Sequence, residues 1–180
     1  KALVYGALGG QAGAGAMLDV LTGKVNPSGK LAESWPFTYG DVPSSEIYGK
    51  TTDALYQEGV YVGYRYYDKA GVPVRWRFGY GLSYTEFSYA DLTVNGDTVS
   101  VTVQNTGKCA GAEVVQLYME APQDGLHRPL RELKDFQKVF LQPGESGTVT
   151  FTLTDRSFAV WRDGWKIPAG TYAVCVGGVR

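Results

Sequence analysis

Glu58 and Asp68 stand ten residues apart in the chain, with Arg65 between them. Two carboxyl groups flanking a sugar could serve as the acid and the nucleophile of glycoside hydrolysis. The same three residues could instead form ion pairs that pin their segment to a neighbouring domain. That second reading is favoured, because a guanidinium beside a carboxylate lowers its pKa and spoils it as a general acid. His127, the only histidine, lies in the polar, proline-flanked stretch 123–129, where a solvent-facing loop residue is expected. No Ser-His-Asp arrangement can be built around it. Cys109 and Cys175 are too few for a disulfide scaffold and share no ligand spacing with His127, so no metal site is expected. Gly6, Gly9, Gly10, Gly13 and Gly15 invite a phosphate-loop reading, yet their spacing fits neither dinucleotide nor nucleotide-loop patterns. Close packing of a helix on a sheet explains them better, and no cofactor is expected.

The elements that hold these residues differ along the chain. Leu3-Val4-Tyr5 reads as the end of a buried strand, and residues 11–22 as a helix whose apolar side is Ala14, Met17, Leu18 and Leu21. Gly23 stands where a helix C-cap favours glycine, and Asn26-Pro27-Ser28-Gly29 reads as a turn. One strand and one helix cannot bury their own faces, so the chain is expected to begin inside a domain. Residues 36–56 read as a long loop. The stretch 56–87 is crowded with aromatics that must be covered by something. Beyond Tyr84 short alternating strands begin. Val99, Val101 and Val103 form one apolar face and Val149, Phe151 and Leu153 another, with a further strand over 112–121. A two-residue Asp163-Gly164 turn predicts a hairpin in which Arg162 faces Trp165 and Val160 faces Ile167. Phe158, Val160, Trp165 and Ile167 would then share the core face. Trp161 would point outward, more plausibly onto another domain than onto a sugar. The final strand is expected over 171–176.

The chain has 180 residues and a formal net charge of −1, so it fits one large domain or a small domain with a remnant. It carries no basic stripe that would point to nucleic acid, and no apolar run long enough to span a membrane. It begins at Lys1 without a leader, so any targeting segment is absent or lies outside it.

Phe78-Gly79-Tyr80-Gly81-Leu82-Ser83-Tyr84-Thr85 and the run from Glu58 to Asp68 resemble the junction before the last domain of family 3 glycoside hydrolases. Residues 8–13 and 21–31 resemble the late part of the α/β sandwich domain of that family. Residues 114–118 and 131–136 give weaker matches in its terminal domain. The resemblance implies a mainly β fold: a fibronectin type III-like sandwich over 84–180, a connecting segment over 36–83, and an α/β remnant over 1–35. It implies a parent enzyme of the β-glucosidase kind that cleaves β-linked sugars by a retaining mechanism without a cofactor. The partners would be an N-terminal barrel and the rest of the α/β domain, both in the same polypeptide. In the family the nucleophilic aspartate belongs to the barrel, and the acid/base glutamate commonly lies earlier in the α/β domain. Neither motif is present, so no catalytic residue is assigned. Glu58, Arg65, Asp68 and Trp161 remain as domain-contact candidates. A non-enzymatic adhesion or sugar-binding module is the alternative.

Overall fold

The computed structural model describes residues 2–50, 52–123 and 125–177. Helix α1 (Gly13–Leu21) ends as expected: Gly23 takes a positive φ of 75°, and the Thr22 hydroxyl donates to the Leu18 carbonyl at 2.8 Å. Leu3, Val4 and Tyr5 form no strand and are exposed, because no neighbouring strand among the described residues takes their hydrogen bonds. Residues 26–29 form no turn either. Asn26 is spent on contacts with distant segments, described below.

Short strand β1 (Trp35–Pro36) pairs antiparallel with β2 (Val74–Trp76), which sets Trp35 opposite Trp76. A single 3-10 turn at Tyr39–Asp41 follows β1, and Thr38 and Asp41 cap it reciprocally. Between β1 and β2 the aromatic stretch folds into helix α2 (Tyr64–Ala70), which the sequence reading did not anticipate. Gly71 ends it in the left-handed conformation (φ 66°), Val72 N–H returns to the Tyr67 carbonyl at 3.0 Å, and Pro73 prevents continuation.

From Phe87 onward the chain is a two-sheet sandwich. One sheet is β3 (Phe87–Asn95), β4 (Thr98–Asn105) and β7 (Ser146–Thr152), in the order β3-β4-β7. The other is β5 (Gly111–Glu120), β6 (Glu132–Leu141) and β10 (Ala173–Val176), in the order β10-β5-β6. All pairings are antiparallel. Val99, Val101, Val103, Val149 and Phe151 on the first sheet meet Val115, Leu117, Met119, Leu141 and Val176 on the second. The period-2 alternation of valines builds this core directly, since alternate residues of a strand share a face.

The chain between β7 and β10 departs from expectation. Asp155–Phe158 is one helical turn (α3), and the hairpin strands are only β8 (Val160–Trp161) and β9 (Trp165–Lys166). Val160 pairs with Lys166 and Trp161 with Trp165, one residue out from the predicted register. The loop holds three residues, Arg162 to Gly164, with both Asp163 and Gly164 at positive φ. A slip of one residue exchanges faces. Trp165 and Ile167 are therefore exposed, and Phe158 alone of the two expected aromatics packs on the core.

Candidate functional site

The aromatic segment and the N-terminal residues form a junction laid against the β10-β5-β6 sheet. It starts at Asn26. The side-chain carbonyl of Asn26 accepts hydrogen bonds from Ser83 Oγ (2.9 Å) and Tyr84 N (2.8 Å), while its amide donates to the Ala110 carbonyl (2.9 Å). One amide thus ties three segments. Leu31 and residues 79–80 add two backbone hydrogen bonds, Leu31 N to Tyr80 O and Gly79 N to Leu31 O, each 2.8 Å. Gly81 is glycine for a steric reason: a Cβ there would strike the Gly29 carbonyl oxygen. Tyr84 Oη donates to the Val20 carbonyl at 2.7 Å, so α1 is held as well.

Lys30 reaches Glu113 of β5 at 2.9 Å, and the two side chains are only 16% and 12% exposed. Glu113 also accepts the Tyr89 hydroxyl at 2.9 Å, and Lys30 donates to the Gly81 carbonyl at 3.2 Å. The added hydrogen bonds offset part of the cost of taking both charges out of water. Burial pushes the Tyr89 phenol well above its ordinary pKa, and the Glu113 charge and hydrogen bond push it further.

The second tie is α2. Tyr64 stacks on Phe78 at 4.9 Å, meets Tyr118 edge-on at 5.9 Å, and accepts the Leu133 N–H on its hydroxyl at 2.8 Å. Asp68 accepts from Arg131 Nε at 2.7 Å, with side chains 25% and 30% exposed, and the Arg131 guanidinium lies over the Tyr118 ring. Arg65 reaches Glu132 at 3.8 Å, with about a third of each side chain exposed. The predicted clamp is therefore rearranged. Arg65 pairs with neither Glu58 nor Asp68: although i,i+3 on α2, Arg65 and Asp68 each find a separate partner on the chain entering β6. Arg131, absent from the sequence-derived candidates, holds the tighter bond. Its place in the run from Arg131 to Phe136, already singled out by resemblance, was the signal that could have found it. Glu58 lies apart, half-buried beside a cleft walled by Trp35, Tyr64 and Tyr67. Burial raises the Tyr67 phenol pKa, with smaller contributions from Tyr66, Asp41 and Glu58.

His127 is exposed as expected, but Tyr61 Oη stands 3.5 Å from its Nδ1, so the loop it occupies touches the segment before α2. Trp161 is 65% exposed as expected, and Trp165 joins it with ring centroids 5.2 Å apart. Among the described residues no three His, Cys, Asp or Glu side chains are grouped to hold a metal, and no described helix is long and apolar enough to cross a membrane.

Residues 1–64 match the glycosyl hydrolase family 3 C-terminal domain, and residues 113–179 match the fibronectin type III-like domain. The thermostable β-glucosidase B of Acetivibrio thermocellus is 46% identical over 98% of this chain and 25% of its own length. An exo-α-(1→6)-L-arabinopyranosidase of Bifidobacterium breve is 45% identical, again over 98% of this chain and 25% of its own length. The solved structure of β-glucosidase 3B from Thermotoga neapolitana in complex with glycerol superposes with a TM-score of 0.87 at 44% identity, over 94% of this chain and 25% of that one. The chain thus spans about a quarter of the length of these relatives. Two family models match the chain in order and the relatives cover nearly all of it, so the chain belongs to glycoside hydrolase family 3 and corresponds to the C-terminal part of those longer relatives.

Proposed function

We propose that this chain is the non-catalytic docking part of a larger family 3 enzyme that hydrolyses β-linked O-glycosyl bonds with retention, and that it turns over no glycoside by itself. The observation that carries the reading is the fate of the carboxylates. Asp68 is engaged by Arg131 at 2.7 Å and Glu113 by Lys30 at 2.9 Å, which turns both carboxylates to structure. The division that fits is an α/β remnant over 1–35, a connecting segment over 36–83, and the sandwich over 84–180. Glu58, Arg65, Asp68 and Trp161 are contacts with the remainder of the polypeptide or braces behind such contacts. Exposed Leu3, Tyr5, Leu18 and Leu21 form the face that the rest of the α/β domain would cover.

Split expression tests this. The preceding polypeptide and this chain, produced separately and mixed, should associate and recover glycosidase activity that neither has alone. Full activity of the preceding part without this chain would reject the docking role. The rival reading, a free-standing sugar-binding module, draws on the exposed Trp161–Trp165 pair. Their planes cross at 71°, which offers a corner rather than a flat platform for a sugar face. Trp161→Ala and Trp165→Ala variants that lose retention on immobilised glucan would favour that rival.

A further inference from the structure

We propose that the cleft between Trp35 and α2 receives an arginine side chain from the larger polypeptide outside this chain, with Glu58 as its counter-charge. This rests on the docking role above and names the chemistry of one contact in it. The cleft measures about 530 Å³ and is walled by Trp35, Val62, Tyr64, Tyr67 and Phe78. Glu33 and Glu58 line it too, and neither makes an ion pair or side-chain hydrogen bond among the described residues. The cations of the neighbouring helix are committed elsewhere: Arg65 to Glu132 and Lys69 to Gln123. An aromatic cleft with uncompensated carboxylates complements one class of group best. A guanidinium is flat, stacks on aromatic faces, sheds water more readily than an ammonium, and bonds a carboxylate through two parallel N–H groups. Most of the relatives' length lies outside this chain, so chain to supply it exists, and the cleft shares Tyr64 and Phe78 with the junction. A neutral pyranose would also stack on the walls, but it would leave half-buried Glu58 without a counter-charge.

The test compares one substitution in two contexts. In the longer polypeptide, Glu58→Gln should lower the melting temperature by roughly 5 °C, because it strands the partner cation. In the 180-residue chain alone the same substitution should shift melting by no more than about 1 °C, since no partner is lost there. Equal shifts in both contexts, or none in either, overturn the proposal. Leu21→Asp on the exposed side of α1 is the reference for docking itself. If it destabilises the longer polypeptide while Glu58→Gln does not, the docking role stands and the arginine contact falls. If both are silent, the docking role falls with it. Cellobiose added to the isolated chain should leave tryptophan fluorescence unchanged; a saturable change abolished by Glu58→Gln would make the cleft a sugar site and overturn the proposal.

Discussion

Asn105 does more for the sandwich than any residue the sequence singled out. It is fully buried, and its amide donates to the carbonyls of Cys109 (2.8 Å) and Leu141 (3.0 Å). Its side-chain oxygen accepts from Thr85 Oγ1 (2.6 Å) and Gly107 N (3.1 Å). Every valence is used, and the partners come from the second sheet, from the loop between β4 and β5, and from the junction. Asn105→Ala leaves buried partners unsatisfied, so urea unfolding should show a loss of about 3 kcal/mol. Tyr89 gives a pH prediction at the same scale. Its phenol is held protonated in the folded chain by burial first, then by Glu113, whereas in the unfolded chain it titrates near its ordinary value of 10. The folded state therefore binds the extra proton above that value. This contribution is fully present below about pH 10 and is lost as pH rises further. Alkaline unfolding should begin later in Tyr89→Phe than in the parent chain once each is referenced to its own stability at pH 8. An identical alkaline limb would remove Tyr89 from the account.

At the scale of elements, what was legible followed regular alternation and what was hidden followed irregularity. β4, β5 and β7 announce themselves because every second residue is apolar. β3 does not: Phe87 and Tyr89 face the core, then a bulge at Asp91, with φ 52°, shifts parity so that Leu92 faces inward instead. Asp tolerates that backbone conformation, and an inserted residue is invisible to a period-2 search. β6 hides for a different reason. Its large apolar residues Phe136 and Phe140 are exposed, while Val139 and Leu141 turn inward, so apolarity marks both faces at once. In the junction, the motif positions were readable but their partners were not, since Asn26–Ala110 and Lys30–Glu113 join segments more than eighty residues apart. From the sequence, Cys109 and Cys175 are expected to be unpaired thiols, with another strand between theirs, and the alternation of Tyr172, Val174 and Val176 turns Cys175 away from the core. Both are free, although β10 lies directly beside β5 rather than one strand away. Cys175 pairs with Tyr118, and the seven residue steps from Gly111 to Tyr118 put it roughly 20 Å from the end of β5 near Cys109. Contrary to the alternation argument, Cys175 is buried and only Cys109 is exposed. Alkylation without reductant should modify Cys109 quickly and Cys175 only after denaturant is added. Equal rates in native buffer would mean that β10 is not docked.

As a whole molecule, the chain is a closed sandwich with an open end. The two sheets bury their shared core without help, while α1 and the residues before it present apolar side chains outward. Limited proteolysis should thus cut first within about residues 36–56 and leave the sandwich resistant; protection of the first third equal to that of the sandwich would argue for a self-sufficient unit. The two relatives of nearly equal identity carry names for different sugars, a β-glucosidase and an α-L-arabinopyranosidase. The most direct test is turnover by the purified 180-residue chain on a panel of aryl β-glucosides, aryl β-xylosides and aryl α-L-arabinopyranosides, beside the longer polypeptide. The account predicts release indistinguishable from a heat-killed control for the chain and hydrolysis by the longer polypeptide. Turnover by the chain alone that disappears in Glu58→Gln or Asp68→Asn would contradict it and return those carboxylates to catalysis.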